Sequence, residues 1–176
     1  MSAPCRVVLS GCSGGGKSTL LDELARRGHA CFPEPGRAVV REGRHDPATD
    51  PLGFALAVIG IARANHEASP PGLSFHDRSL LDALVWFRRS GTALPGELAG
   101  LSQTHRYFPK VFLTPPWPEI YVTDAERRHG LPEAIAEYDA ILATLPELGY
   151  GPVILPKYSV AERADWMLGQ LAVLPE

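Results

Sequence analysis

The stretch GCSGGGKST, residues 11–19, decides how this chain is read. Four glycines fill six positions and are followed at once by Lys17, Ser18 and Thr19. Ahead of them, CRVVLSG (5–11) is a short apolar run ended by glycine, the pattern of a buried strand. Behind them, KSTLLDELARRG (17–28) sets Leu20, Leu21, Leu24 and Ala25 at helical spacing and stops at Gly28. The order is strand, loop, helix. Glycine lets a loop turn its N–H groups inward with no side chain in the way, and the N-terminus of the following helix adds the positive end of its dipole. Gly11-x-x-x-x-Gly16-Lys17-Ser18 is thus a Walker A pattern in the context its mechanism requires. Gly11, Gly14, Gly15, Gly16, Lys17, Ser18 and Thr19 are read as a cradle for a phosphate tail, with Lys17 on the β- and γ-phosphates and the Ser18 hydroxyl on Mg²⁺.

The same alternation continues outward. HACFPE (29–34) reads as a second strand and PGRAVVREG (35–43) as a helix with proline in its first turn. Residues 52–68 have helical length and apolarity, although Gly53 and Gly60 count against it. LSFHD (73–77) is a third strand, RSLLDALVWFRRSG (78–91) a helix stopped by Gly91, and LPGELAGLSQTHRY (94–107) a further helix. KVFLT (110–114) is a fourth strand, after which PPWP (115–118) forbids regular structure. Thr123 and Glu126 have capping-box spacing for a short helix from Asp124. Residues 131–149 place Leu131, Ala134, Ile135, Tyr138, Ile141, Leu142 and Leu145 on one helical face. PVILP (152–156) is a fifth strand, and 159–174 form a closing helix with Ser159 and Glu162 as its capping box. Short strands alternating with helices imply an α/β fold, a parallel sheet covered on both faces, in a single domain spanning 1–176.

The bulk properties narrow the function. At 176 residues the chain can bury roughly 70% of its unfolded surface without a staple. A net charge of −3 with 21% charged residues excludes a broad nucleic-acid or membrane surface. Lysine occurs only at Lys17, Lys110 and Lys157, so Lys17 is not casual surface decoration. Cys5, Cys12 and Cys31 have neither disulfide nor zinc spacing. The apolar start VVLSGC is too short for a signal segment, so a cytoplasmic location is expected. There is no N-K-x-D or T-K-x-D guanine-reading motif, which disfavours a GTPase.

PEPGR (33–37) after the second strand, HDRSLLDA (76–83) around the end of the third, and the arginine-bearing segment after the fourth resemble the P-loop kinases, in particular deoxynucleoside and nicotinamide riboside kinases. With VFLTPPWPEIYVTDAERR (111–128), the chain is similar along nearly its whole length to a family of small bacterial ATPases of the AAA domain type. The resemblance implies strand order 2-3-1-4-5, ATP with Mg²⁺, and a small lid over about 115–130. It implies Glu34 as general base toward an acceptor hydroxyl, Asp77 as a second oxygen holding Mg²⁺ beside Ser18, and Arg78 on phosphate or acceptor. Arg127 and Arg128 fall where these kinases carry lid arginines that neutralise charge on the transferring phosphoryl group. Arg37 and Arg41, one turn apart, are candidates to grip an anionic acceptor or to pair with nearby acids. Trp117 would cover the site or pin the base of the lid, and Lys157 and Tyr158 lie where related kinases pack adenine.

Three activities fit these residues: transfer of the ATP γ-phosphoryl to an unidentified small-molecule acceptor, nucleoside-like in chemistry; ATP hydrolysis driving a partner; and nucleotide sensing without turnover. The acceptor pocket is expected from residues 36–66 and 79–107.

Overall fold

A computed structural model of the chain describes residues 3–121 and 130–172. Five strands, β1 (Pro4–Gly11), β2 (Ala30–Phe32), β3 (Gly72–Asp77), β4 (Lys110–Thr114) and β5 (Gly151–Ile154), form one parallel sheet in the order β2-β3-β1-β4-β5. The helices are α1 (Lys17–Arg26), α2 (Pro35–Glu42), α3 (Pro51–Glu67), α4 (Leu80–Ser90), α5 (Leu101–Thr104), α6 (Leu131–Glu147) and α7 (Val160–Ala172). Both architecture and strand order agree with the expectation from sequence.

Alternation along the strands divides the core in two, because successive strand residues face opposite sides of a sheet. Val7, Leu9, Phe75 and Phe112 pack on one face with Leu20, Leu21 and Leu24 of α1 and Ala164 and Met167 of α7. Val8, Val111 and Leu113 pack on the other with α3, α4 and α6, through residues such as Ile59, Leu81, Tyr138 and Ile141. Trp86 and Trp166 are partly buried at the margins of these two cores. Truncating a fully buried side chain such as Phe112 to alanine costs about 3–5 kcal/mol.

Helix boundaries follow local chemistry. Pro35 and Pro51 stand in the first turns of α2 and α3, and Asp50 caps α3 by accepting from Gly53 N at 3.0 Å. At α7, Glu162 accepts from Ser159 N at 3.0 Å and from Ser159 Oγ at 2.6 Å, the capping pair read from sequence. One expectation is corrected and two gain their bounds. Residues 94–107 are not one helix: Gly96–Leu98 form a 3₁₀ turn and α5 is a separate short piece, since Gly96 and Gly100 break helical continuity. The second strand is only three residues, ended by Pro33, which lacks a ladder donor. The proline-rich run leads into a 3₁₀ turn, Pro118–Ile120, with Pro118 at its start, where a missing N–H is harmless. The lid helix expected from Asp124, capped by Thr123 and Glu126, lies outside the described residues. Among the described residues no helix is long and apolar enough to cross a membrane.

His76, on β3, is 2% exposed, stacks on Phe32 with ring centroids 4.6 Å apart and faces the hydroxyls of Ser69 and Ser74. Burial first, then the charges of His66 and Arg6, push its pKa down to about 3. The unfolded chain therefore binds a proton between about pH 6.5 and 3 that the folded one refuses, so stability falls as pH drops through that window. His76→Gln keeps a polar partner for the serines without titrating. Urea unfolding of the variant between pH 6 and 5 should show a loss of stability shallower than wild type by about 1 kcal/mol per pH unit.

Candidate active site

The loop from Gly11 to Gly16 leaves β1 at the carboxyl edge of the sheet, where β1 is flanked by β3 and β4; Leu9 pairs with Asp77 and Gly11 with Thr114. β4 supports the loop from below. Cys12 N donates to Thr114 O at 2.9 Å, and Thr114 Oγ1 donates to the carbonyls of Ser10 and Cys12, each at 3.3 Å. At its glycines the fit allows no side chain. Gly11 has φ +104°, and a Cβ there would lie 2.5 Å from Thr114 O; one on Gly15 would lie 2.6 Å from the Thr114 side chain. A Cβ on Gly14 would strike the Tyr121 ring at 2.6 Å.

A polar cleft opens over the loop, lined by Ser13, Gly14, Gly16, Lys17, Ser18, Thr19, Glu34 and Arg37. Lys17 is buried, its Nζ donating to Cys12 O at 2.9 Å. Burial and the charge of Arg78 push its pKa down, opposed by Asp77, Glu34 and Glu137. Ser18 Oγ donates to Asp77 Oδ2 at 3.0 Å, while Asp77 Oδ1 is buried without a hydrogen-bond partner. A hydroxyl beside a carboxylate with a spare, desolvated oxygen is a donor set that suits a hard divalent cation such as Mg²⁺. Desolvation raises the Asp77 pKa, with Lys17 opposing.

Glu34 ends the β2 connection as the residue before α2, yet its side chain makes no cap bond to that helix. Instead it accepts from Arg37 Nε at 3.3 Å and makes an ion contact with Arg78 Nε at 3.3 Å. Burial lifts the Glu34 pKa, but Arg78, Lys17 and Arg37 together outweigh it and hold it below the usual carboxylate value.

Arg78 has φ +64°, and its guanidinium is enclosed by carboxylates: Nη1 lies 2.9 Å from Glu137 Oε1 and 3.3 Å from Asp82 Oδ1, in addition to Glu34. Asp82 also accepts from Ser79 N at 2.8 Å, capping α4, and from the Ser10 hydroxyl. Arg41 is exposed and Tyr158 is 54% exposed. Arg127 and Arg128 lie outside the described residues.

Several site residues were not anticipated. Asp82 had a local signal, since Ser79-x-x-Asp82 has helix-capping spacing. Glu137 had none; α6 delivers it from across the fold. Arg163 of α7 is buried against the loop, with Nη1 donating to Gly15 O at 3.1 Å and the guanidinium carbon 5.4 Å from the centre of the Trp117 ring. An arginine inside the apolar stripe Val160, Ala164, Met167 was a visible anomaly.

A glycine-rich loop between β1 and α1, with an acidic residue ending the neighbouring β3, defines a P-loop fold of kinase topology. Residues 6–163 match the family model described as AAA domain, and the chain belongs to that family. No curated protein matches it. Among solved structures, deoxyadenosine kinase from M. mycoides with bound dATP superposes with TM-score 0.70 at 12% identity, over 96% of this chain and 99% of that one. NadR protein in complex with NR gives TM-score 0.75 at 22% identity; 98% of this chain covers 53% of NadR, so the likeness spans about half of that protein. Shikimate kinase from Acinetobacter baumannii in complex with shikimate gives 0.61 at 12%, over 97% and 93% of the two chains. At these identities the likeness is one of fold.

Two glycine substitutions test the loop geometry with opposite signs. Gly11→Ala, forced against the Thr114 backbone, should lower the unfolding free energy by about 3 kcal/mol. Gly60→Ala, whose methyl meets open space within α3, should raise it by about 0.5–1 kcal/mol. Chemical denaturation of both variants reads out the difference.

Proposed function

We propose that this chain is an Mg²⁺-dependent phosphotransferase that moves the γ-phosphoryl group of ATP to a hydroxyl of a small, nucleoside-like acceptor. The observation that carries this reading is the placement of Glu34: a carboxylate that makes no cap bond to α2 and lines the same cleft as Lys17 and Ser18. A carboxylate at that position can accept the proton of an acceptor hydroxyl as its oxygen attacks phosphorus. The kinase fold supports the reading, and two of the three neighbours described above are kinases by name.

In this reading the amides of Gly14 and Gly16 bind the phosphate oxygens and Lys17 bridges the β- and γ-phosphates. Ser18 and Asp77 would hold Mg²⁺, which when bound neutralises charge on those oxygens. Glu34 accepts the proton of the acceptor hydroxyl as that oxygen bonds to the γ-phosphorus; the bond from that phosphorus to the β,γ-bridging oxygen breaks, and ADP leaves. Arg78 holds Glu34 ionised and in place through the 3.3 Å contact.

The direct test is a panel of nucleosides and small alcohols incubated with ATP and Mg²⁺, with product detected by mass. A phosphorylated acceptor is expected, and ATP consumption with inorganic phosphate as the sole product would replace transfer by hydrolysis. With the acceptor in hand, Glu34→Gln should lower kcat by roughly 10²–10⁴-fold while ATP affinity measured by calorimetry changes little. Because the cationic neighbours depress the Glu34 pKa, the part of the wild-type acid limb that Glu34 sets should lie below the ordinary carboxylate range. Arg37→Gln, removing one of those charges, should move the acid limb of the rate profile to higher pH.

A further inference from the structure

The two deeply buried cations beside the loop differ in kind. Lys17, 6% exposed, has Asp77 and Glu34 within its electrostatic reach. Arg163, 3% exposed, has no such acid. Its one hydrogen bond is from Nη1 to Gly15 O at 3.1 Å, its Nε has no hydrogen-bond partner, and among the described residues no carboxylate forms an ion pair with it. Burial alone pushes its pKa down, with no acid to oppose the shift. The Trp117 ring at 5.4 Å offers the attraction of its π face, a partial substitute for a counter-ion. Arg78, by contrast, is enclosed by Glu34, Asp82 and Glu137.

A buried charge without a partner is expensive, and a well-packed apolar residue in its place is usually tolerated or stabilising. Helix α7 had an apolar option at this position, since Ala164 and Met167 beside it are both fully buried in the core. What the arginine touches is the phosphate loop. A Cβ on Gly16 would lie 3.0 Å from Nη2, so the guanidinium is pressed against Gly15 and Gly16. The carbonyl it bonds belongs to the same peptide group as the Gly16 N–H. A donor on that oxygen polarises the peptide and strengthens its N–H as a donor in turn.

We propose that Arg163 is a positioning residue for the triphosphate: its charge is stored without a counter-ion against the Gly15–Gly16 peptide, and the bound phosphates supply the missing negative charge. This rests on the reading of the loop as an ATP site. It also makes α7 and the base of the lid, through Trp117, part of the nucleotide-binding machinery.

The test is calorimetric titration of ATP with Mg²⁺ into wild type, Arg163→Met, Arg163→Gln and Arg163→Lys, with the thermal midpoint of each measured without nucleotide. Met removes charge and hydrogen bond, Gln retains a donor without charge, and Lys retains both. Met and Gln should weaken ATP binding at least tenfold and unfold at or above the wild-type temperature, while Lys should stay within about threefold of wild type. Three results overturn the proposal: wild-type affinity in Met or Gln, a loss in Lys as large as in Met, or a Met variant that unfolds early or does not fold, which would make the arginine a structural brace. If wild type itself fails to bind ATP, the functional reading falls as a whole, an outcome distinct from the three.

Discussion

Between Gly11 and Lys17 the main chain is confined on every side by parts of the protein distant in sequence. Thr114 lies beneath it, Tyr121 over Gly14, and Arg163 against Gly15 and Gly16. That confinement requires glycine at Gly11, Gly14, Gly15 and Gly16, and the same lack of side chains there lets the amides act as ligands. The rest of the fold serves this arrangement. The parallel sheet brings the ends of β1, β3 and β4 to one edge, so that Asp77 reaches Ser18 and Thr114 reaches the loop's carbonyls. The two cores hold α1 and α7 on one face and α4 and α6 on the other. From these come Lys17 and Arg163, and Asp82 and Glu137.

Charge at this edge is arranged in layers. Next to the loop are the cations Lys17 and Arg163; beside Lys17 stand Asp77 and Glu34; around Arg78 the carboxylates of Glu34, Asp82 and Glu137 gather. Alternation of sign lets several ionised groups share a partly desolvated space, since each draws its neighbour's pKa in the direction that keeps it charged. Glu34 is the clearest case: burial works against its ionisation, and three cations overcome it. A triphosphate entering such a site meets a field already organised for it, without reorientation of solvent.

How much of this was legible in the sequence depended on the range of the interaction. The loop was readable because its chemistry is local: strand, glycines, lysine, helix all fall within residues 5–28. Strand order came from the resemblance to the P-loop kinases, and the convergence of Glu34, Asp77 and the loop followed because neighbouring parallel strands end together. The segment 94–107 misled because its apolar residues carry helical spacing while Gly96 and Gly100 interrupt the backbone, and composition alone does not weigh one against the other. Glu137 was invisible, because a glutamate on a helix acquires meaning only from what faces it across the fold. Arg163 was visible as a misplaced charge within an apolar stripe, but its destination, the carbonyl of Gly15, required three dimensions.

The left-handed backbone of Arg78 ties these layers together. A branched or long side chain adopts φ +64° only against a steric penalty of about 1–3 kcal/mol, which glycine would avoid. Its N–H is anchored to Leu9 O at 2.8 Å, so the bend is enforced by β1 and aims the guanidinium into the acid cage. Relaxing that bend by substitution would discard the cation, and retaining the cation preserves the tension. The turn from β3 into α4 therefore stores strain at one residue, with β1 fixing its N–H and three carboxylates fixing its guanidinium between Asp77 and α4.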